Sequence, residues 1–255
     1  MNIYNRNIVK AVGRAIGDFD LIHEGDKILV AVSGGKDSYT LLDALEKLRH
    51  RSPVKYDLTA VHIDTGAPGM RSDLVEQFLK SHSYDYIIER TEIMRISVEY
   101  NKEDKLLCSL CSRLRRGYLY SLSQKHGFNK IALGHNMDDL IETLFLNIFF
   151  TGQIKAMPAI SRSGNYKVTV IRPLIYVKAK DALKYAVSLE APLIDPECPV
   201  SMSGRLENRR KIRNLISNLE KEYPYIKNTI FASLKHVNKD YLLDKRLFND
   251  NIAKE

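Results

Sequence analysis

The stretch KILVAVSGGKDSYTLLDALEKLR, residues 27–49, carries the clearest fold signal in the sequence. A β-rich apolar run over residues 27–33 leads through two glycines into a helical pattern that begins at Asp37. Glycine lets the backbone turn tightly and approach an anion, and the first amides of a helix point towards such a ligand. The order of strand, glycine turn and helix therefore predicts a phosphate-binding loop at residues 33–38.

This loop differs from the ordinary P-loop at two positions. A P-loop carries glycine at the position of Val30 and serine or threonine at the position of Asp37. A carboxylate beside bound phosphates is unfavourable unless a cation bridges them, so Asp37 indicates Mg²⁺ or a direct role near the reacting phosphate. A tight glycine turn with ordinary helix caps is the alternative that needs no ligand. The candidate ATP-binding residues of the loop are Ser33, Gly34, Gly35, Lys36, Asp37 and Ser38.

Short β-rich runs alternate with helical patterns along most of the chain. This alternation predicts an α/β fold in which a parallel sheet carries helices on both faces. Ligands of such sheets bind at the carboxyl ends of the strands, and the motif GHNMDD, residues 134–139, follows a strand as the loop does. We therefore expect a site at this edge. The predicted strands are residues 27–33, 56–63, 85–91, 130–135 and 167–174, and the predicted helices are residues 37–49, 72–81, 111–126 and 138–150.

The beginning of the sequence predicts a helix rather than a signal peptide. Ile8, Val9, Val12 and Ile16 fall on one helical face. The chain also has no apolar run long enough to cross a bilayer. We therefore expect a cytoplasmic protein with no membrane partner.

The C-terminal part is basic and helical in pattern. The net charge is +8, and the last 55 residues hold 12 Lys and Arg against 7 Asp and Glu, which gives +5 there. Residues 208–223 and 224–237 predict two amphipathic helices. We divide the chain into a domain at residues 1–194 and an extension at residues 195–255. A basic extension suits a polyanion such as nucleic acid, and a solvated basic helix is the alternative.

The three cysteines form an odd set, which argues against a disulfide framework in this setting. Cys108 and Cys111 have the spacing that puts two thiols on one side of a turn. That spacing fits a redox pair, half of a zinc site completed by Cys198 with His126 or His135, or a [4Fe–4S] cluster. Three thiolates would leave one iron of such a cluster open to another ligand. Unrelated buried thiols are the remaining alternative.

Three motifs in this order carry a family resemblance: SGGKDS (33–38), CSLCSRLRRGYLY (108–120) and KIALGHNMDDLIETLFLNIFF (130–150). Together they resemble the tRNA 2-thiocytidine synthetases of the N-type ATP pyrophosphatase (PP-loop) superfamily, from about Asp26 to about Lys180. The resemblance implies that the enzyme adenylates the C2 oxygen of an anticodon-loop cytidine, at position 32, and replaces it with sulfur. It implies ATP and a [4Fe–4S] cluster as cofactors, besides the Mg²⁺ indicated by Asp37. It further implies a tRNA substrate, a sulfur donor such as a cysteine desulfurase, and a homodimer.

The resemblance also implies roles for individual residues. The cluster ligands would be Cys108, Cys111 and Cys198. The ATP site would include the loop 33–38 together with His62, Asp64, Gly134, His135, Asp138 and Asp139. Catalytic roles would fall on Lys36, Asp37, Asp138 and Arg115, the last of which orients the base or neutralises the intermediate. A surface ion pair or phosphate contact is the alternative for Arg115. Candidate tRNA contacts are Arg113, Arg116, Arg205, Arg209, Arg210, Lys211 and Arg213.

One departure from the pattern leaves other functions open. Glu197-Cys198-Pro199 resembles the wider group of iron–sulfur tRNA thiolases, which includes 2-thiouridine enzymes. Those relatives usually carry further zinc-binding cysteines, and this chain has none to spare. The alternatives are therefore a uridine thiolase, a sulfur-free adenylating ligase that resembles tRNA lysidine synthetase, and a non-catalytic module that binds metal and RNA.

Overall fold

The computed structural model describes residues 3–100, 107–163, 167–194 and 204–244. The strands in these residues form one sheet in the order β3-β2-β1-β4-β6-β5. All neighbouring pairs are parallel except β5 and β6. The predicted α/β fold with a parallel sheet is confirmed, and the antiparallel edge strand β5 was not predicted. The strands are β1 (Asp26–Ala31), β2 (Tyr56–Asp64), β3 (Tyr86–Arg90), β4 (Lys130–Ala132), β5 (Ile160–Arg162) and β6 (Thr169–Ile171).

Helices follow the strands as the sequence pattern predicted, with additional ones between them. The helix α5 begins at Leu107, so the whole CxxC motif lies within its first turns. The helices are α1 (Ile3–Asp18), α2 (Lys36–Arg49), α3 (Ser72–Ser81), α4 (Ile93–Tyr100), α5 (Leu107–His126), α6 (Met137–Thr151), α7 (Ala179–Ser188), α8 (Gly204–Glu222) and α9 (Ile226–Ser233).

Both faces of the sheet are covered because successive strand residues point to opposite sides. Ile28 and Val30 of β1 belong to a core cluster with residues of α1, α2, α3 and α7. Leu29, between them, packs in a second cluster with Leu122 of α5. A strand that is apolar at consecutive positions is therefore buried on both sides, and its carboxyl end is held rigidly between two helical layers.

The C-terminal helices pack against α6 in a third apolar cluster. Ile212 and Ile216 of α8 and Phe231 of α9 are buried with Leu140 and Ile141 of α6. The basic extension is thus amphipathic, and its apolar stripe is fixed to the domain. The division at residues 194 and 195 stays a prediction.

The strands β4 and β6 fall furthest short of their predicted lengths. The predicted strand 167–174 yields only β6, Thr169–Ile171, since Pro173 lacks the N–H that continuation of the ladder needs. The predicted strand 130–135 ends at Ala132, one residue after which Leu133 donates a last backbone hydrogen bond to Ile171. Among the described helices, none is long and apolar enough to cross a membrane.

Candidate active site

The phosphate loop lies at the carboxyl end of β1 and is held by its own serines. Ser38 Oγ accepts a hydrogen bond from the Ser33 amide at 3.2 Å and donates one to the Gly35 carbonyl at 2.7 Å. Gly34 has a φ of +86°, which favours glycine. A Cβ there would also lie 3.1 Å from Cβ of Ile194, whose amide donates to the Gly34 carbonyl at 2.9 Å. The loop therefore has one defined shape, with the unpartnered first amides of α2 at its end.

Two charged residues of the loop, Lys36 and Asp37, lie in the first turn of α2. Lys36 Nζ lies 2.5 Å from Asp37 Oδ2, and both side chains are partly exposed. The other oxygen of Asp37 accepts a hydrogen bond from Asn136 Nδ2 at 2.9 Å. An ammonium group and a carboxylate thus lie side by side next to the helix amides, an arrangement that can bind phosphate directly and through a cation.

The motif GHNMDD lies against this loop, at the carboxyl end of β4. Asn136 caps α6: its side-chain oxygen accepts from the amides of Asp138 and Asp139 at 2.9 and 3.2 Å. Asp139 Oδ2 accepts in return from the Asn136 amide at 3.0 Å, which completes a capping box. The close approach of the loop backbone requires glycine at position 134, since a Cβ there would lie 3.1 Å from the carbonyl carbon of Asp37. The two motifs thus lie next to each other at one edge of the sheet, as we expected.

The two aspartates of the motif have different surroundings. Burial raises the pKa of Asp139, and nearby Asp37 acts in the same direction. Asp138 faces away from the loop: its Oδ2 accepts from the amide of Ala179, the first residue of α7, at 2.7 Å. Its Oδ1 lies 2.8 Å from Lys227 Nζ of α9. Both Asp138 oxygens are therefore engaged in joining helices, so its contacts do not favour the catalytic role that we expected for it.

His135 is a neutral imidazole at the base of the site. Burial lowers the pKa of His135 to about 4, and the charges of Arg172 and Arg209 contribute in the same direction. Its Nδ1 is buried and has no hydrogen-bond partner in the described part of the chain. A buried polar atom without a partner is uncommon and is an available position for a ligand.

His62 and Asp64 serve the architecture around the site. His62 is fully buried; its Nδ1 lies 2.8 Å from the Val32 carbonyl and its Nε2 lies 2.9 Å from Ser72 Oγ. Ser72 donates to Asp64 Oδ2 at 2.7 Å, and Asp64 Oδ1 accepts from the Gly66 amide at 2.9 Å. This chain of contacts ties the ends of β1 and β2 to α3. Direct contact of these two residues with a nucleotide stays a prediction.

A cavity of about 530 Å³ opens in front of the loop, in the size range of ligand pockets. The phosphate loop and Asp37 form one wall of it, with Gly134 and His135 beside them. The opposite wall is α5. Its contribution, downstream of the CxxC motif, is Ser112, Arg115, Arg116 and Leu119. Arg115 and Arg116 therefore both line the cavity, and both side chains are exposed. The catalytic role of Arg115 and the contact of Arg116 with tRNA stay predictions.

The comparisons with known proteins agree with this geometry. The model of the PP-loop domain family matches residues 4–218. The chain is 47% identical over 240 residues to the tRNA-cytidine(32) 2-sulfurtransferase of Geotalea uraniireducens, covering 94% of this chain and 95% of that protein. The enzyme of the same name from Geobacter sulfurreducens is 47% identical over 246 residues, covering 96% and 95%. The chain belongs to the PP-loop family of tRNA-cytidine(32) 2-sulfurtransferases.

A solved structure reproduces the PP-loop fold of this family. The U34-tRNA thiolase NcsA from Methanococcus maripaludis, with its [4Fe–4S] cluster, superposes with a TM-score of 0.74 at 24% identity. The match covers 92% of this chain and 81% of that one. At this identity the likeness establishes the fold and nothing finer.

The cysteines of this family member are described only in part. Cys108 and Cys111 lie three residues apart in the first turns of α5, hence on one helical face. Cys111 is partly buried, and the side chain of Cys108 lies outside the description. Cys198 lies outside the described residues, which stop four residues earlier at Ile194, on the phosphate loop.

The basic residues expected to contact tRNA divide into different groups in this PP-loop structure. Arg209 and Arg213 pair with the buried Glu142 of α6, with Nε–Oε distances of 3.4 and 2.7 Å. They dock α8 on the domain and are not free phosphate contacts. Lys211 is exposed and pairs with Glu207 at 2.6 Å. Arg113 and Arg210 are exposed, and the side chain of Arg205 is not described.

The sequence analysis did not identify several residues of the PP-loop site. Asn136 is the link between the two motifs, and its position inside GHNMDD was the available signal. Arg172 follows β6 at the same edge of the sheet, but the predicted strand 167–174 enclosed it. Ile194 lines the cavity from a distant part of the chain, and no local pattern identifies such a residue.

Proposed function

We propose that this protein is an ATP-dependent, iron–sulfur-dependent tRNA sulfurtransferase that converts cytidine 32 of the anticodon loop into 2-thiocytidine. The observation that carries the proposal is the shared cavity, with the phosphate loop on one wall and the CxxC helix α5 on the other. Activation of a base and delivery of sulfur need such facing walls. The family membership supplies the substrate class.

ATP binds with its phosphates at residues 33–38. The α2 amides and Lys36 face the negative charge of the phosphates, and preorganised charges of this kind stabilise a transferring phosphoryl group. Asp37 would hold Mg²⁺, which would supply positive charge to the phosphates, and Asn136 orients Oδ1 of Asp37 by a hydrogen bond of 2.9 Å. Lys36 and Asp37 are the catalytic residues that we assign on this wall.

The chemistry at the base is a pair of substitutions. The C2 oxygen attacks the α-phosphorus of ATP, an O–P bond forms, and pyrophosphate leaves as the bond between the α- and β-phosphates breaks. Sulfur at the oxidation level of sulfide then forms a bond to C2, the C–O bond breaks, and AMP leaves with the electron pair. Arg115 lies on the α5 wall, where its charge stabilises the negative charge of the intermediate.

The cysteine set fits an iron–sulfur cluster. Cys108 and Cys111 lie about one turn apart on α5, four residues and one residue before Ser112, the first residue of this helix that lines the cavity. Together with Cys198 they would hold a [4Fe–4S] cluster by three thiolates. The fourth iron of such a cluster supplies a coordination position for sulfur when the cluster is bound. Among the described residues no cluster of three His, Cys, Asp or Glu side chains competes as a metal site.

The partners that we propose are tRNA, a sulfur donor and a second copy of the chain. A cysteine desulfurase is a donor of the right class, and its persulfide sulfur requires in addition a thiol reductant that provides two electrons. Light scattering of the purified protein tests the homodimer. The cytoplasm is the compartment in which these partners meet.

The experiment that tests the function is nucleoside mass spectrometry. The full-length protein is reconstituted anaerobically with iron and sulfide and mixed with unmodified tRNA, Mg-ATP and a sulfide source. We expect 2-thiocytidine that requires both ATP and iron. A 2-thiouridine product would contradict the target base. An active, iron-free, adenylating protein without thiolated product would contradict the sulfur chemistry and favour a ligase.

A further inference from the structure

Arg172 lies near the candidate active site but is not part of the phosphate loop. It directly follows β6, whose neighbour β4 leads into His135. The carboxyl ends of parallel strands are where ligands bind, so Arg172 lies on the functional edge of the sheet. It lies beside the cavity, because the carbonyl of the preceding residue, Ile171, accepts a hydrogen bond at 3.0 Å from the amide of Leu133, which lines the cavity.

Within the described residues, Arg172 forms no ion pair with a carboxylate. Its Nη1 donates to the Pro158 carbonyl at 2.8 Å and to Ser161 Oγ at 3.4 Å. Its Nε is buried and has no hydrogen-bond partner in the described part of the chain. Burial lowers the pKa of Arg172, and the charge of Arg116 lowers it further. A partly buried guanidinium that meets only neutral acceptors and another cation is held ready for an anion.

Two further arginines approach the same region from α5. Arg115 and Arg116 line the cavity, and neither forms an ion pair within the described residues. Arg209 and Arg213 differ from them, because both pair with the buried carboxylate of Glu142. Positive charge is therefore left uncompensated on the α5 side of the cavity.

We propose that Arg115 and Arg116, which line the cavity, and Arg172 beside it form a second anion subsite, separate from the phosphate loop, that binds an RNA phosphate next to the nucleotide to be modified. The inference rests on the proposed function, because the anion is taken to belong to tRNA. Guanidinium groups present paired donors that match phosphate oxygens, and here two exposed arginines, Arg115 and Arg116, are joined by the partly buried Arg172.

The position of the subsite favours RNA over the phosphates of ATP. Those phosphates have the α2 amides and Lys36 on the opposite wall. The base that is modified must reach between that wall and α5, so its own backbone phosphate passes the arginines. Arg172 would then act as a positioning residue, which fixes the nucleotide with C2 facing the α-phosphate.

The test compares tRNA binding and ATP binding of single variants of the full-length protein. Arg172→Gln and Arg116→Gln should each weaken the Kd for unmodified tRNA about 10-fold at low salt and lower the salt slope of binding by about 0.7. The Kd for Mg-ATP without tRNA should stay within about 2-fold. Arg51→Gln is the matched control, because it removes one exposed positive charge after the far end of α2.

Further readouts separate the subsite from a structural role. Arg172→Ala should regain tRNA affinity when guanidinium is added at concentrations that leave the protein folded, and Arg172→Lys should keep part of it. If Arg172 variants unfold, Arg116→Gln alone decides. Unchanged tRNA binding in a folded variant would overturn the subsite, and weakened ATP binding alone would overturn its assignment to RNA. Arginine-dependent tRNA binding without any thiolated product would retain the subsite and refute the proposed function.

Discussion

Asn136 donates a hydrogen bond from Nδ2 to Asp37 Oδ1 at 2.9 Å, while its Oδ1 caps α6. One side chain thus fixes the carboxylate of the phosphate loop and starts the helix of the second motif. Because the donor and acceptor ends of the amide are both used, its orientation is determined. The other oxygen of Asp37, Oδ2, consequently lies against Lys36 Nζ.

Replacement of Asp37 tests the phosphate wall. Asp37→Ala should lower kcat for thiolation by about 10²-fold or more, since it removes the carboxylate that positions Mg²⁺ against the transferring phosphoryl group. The absorbance of the reconstituted cluster should not change. Asp73→Ala, which removes an exposed carboxylate paired with Arg71, is the control and should turn over normally. Normal turnover of Asp37→Ala would refute the assignment.

Gly134 offers a steric test of the contact between the two motifs. A Cβ at this position would lie 3.1 Å from C and 3.2 Å from O of Asp37, and both atoms belong to a backbone that cannot move aside. Gly134→Ala should cost about 1–3 kcal/mol of unfolding free energy and weaken ATP binding. Gly17→Ala is matched to it, with no atom within 4 Å of the added Cβ in α1, and should be neutral or stabilising. Chemical denaturation and ATP titration measure both.

Replacement of Glu142 tests how the helix α8 is anchored on the domain. Its side chain is buried and accepts from Arg213 at 2.7 and 3.2 Å, with Arg209 beside it. Glu142→Gln should destabilise the protein by about 2 kcal/mol, because two guanidiniums lose their counter-charge. Lys211→Ala, on the exposed side of α8, should leave the unfolding free energy unchanged within error. Equal effects of the two changes would show that α8 is not anchored through Glu142.

His135 gives the protein a pH dependence of known sign. Its pKa in the folded state is about 4, below the ordinary value of 6.5, so the unfolded chain binds a proton that the folded chain does not. The contribution is fully present above pH 6.5 and is lost as the pH falls towards 4. His135→Asn should therefore gain up to about 3 kcal/mol relative to wild type between pH 7 and pH 4. Unfolding curves without ATP or Mg²⁺ measure the difference, and parallel curves for the two proteins would contradict it.

Replacement of the cysteines tests their assignment as cluster ligands through the iron content of the reconstituted protein. Cys111→Ala and Cys198→Ala should each lose most of the reconstituted iron and the visible absorbance, since a cluster held by three thiolates does not persist with two. Ser109→Ala, on the same turn as the CxxC motif, serves as the control. Iron retained by Cys198→Ala with zinc absent would remove that residue from the ligand set.

Local patterns predicted the parts of the molecule that local physics determines. The loop 33–38 and the helix α2 follow from glycine geometry and apolar periodicity, and the edge at which the motifs meet follows from parallel strand topology. Asp138 was interpreted as functional from the motif GHNMDD and Arg209 from its charge. Their partners, Lys227 and Glu142, lie on other helices, and no local pattern contains that information.

The strand ends and the distant cavity residues could not be predicted for a similar reason. Arg172 was enclosed in a predicted strand because apolar residues flank it, whereas the pairing of β6 with β4 ends at Ile171, before Pro173. Ile194 covers Gly34 through a backbone contact across most of the domain. Contacts between residues far apart in sequence depend on the assembled sheet.

The shared cavity affects how efficiently ATP consumption is coupled to sulfur incorporation. An adenylated cytidine that met water would revert to cytidine, and the ATP would be spent in a futile cycle. When activation and sulfur delivery share one enclosed space, the activated base does not travel between them. The ratio of AMP released to sulfur incorporated then reports how tightly Leu119 and Ile194 exclude solvent, and it should rise above one when those apolar side chains are shortened.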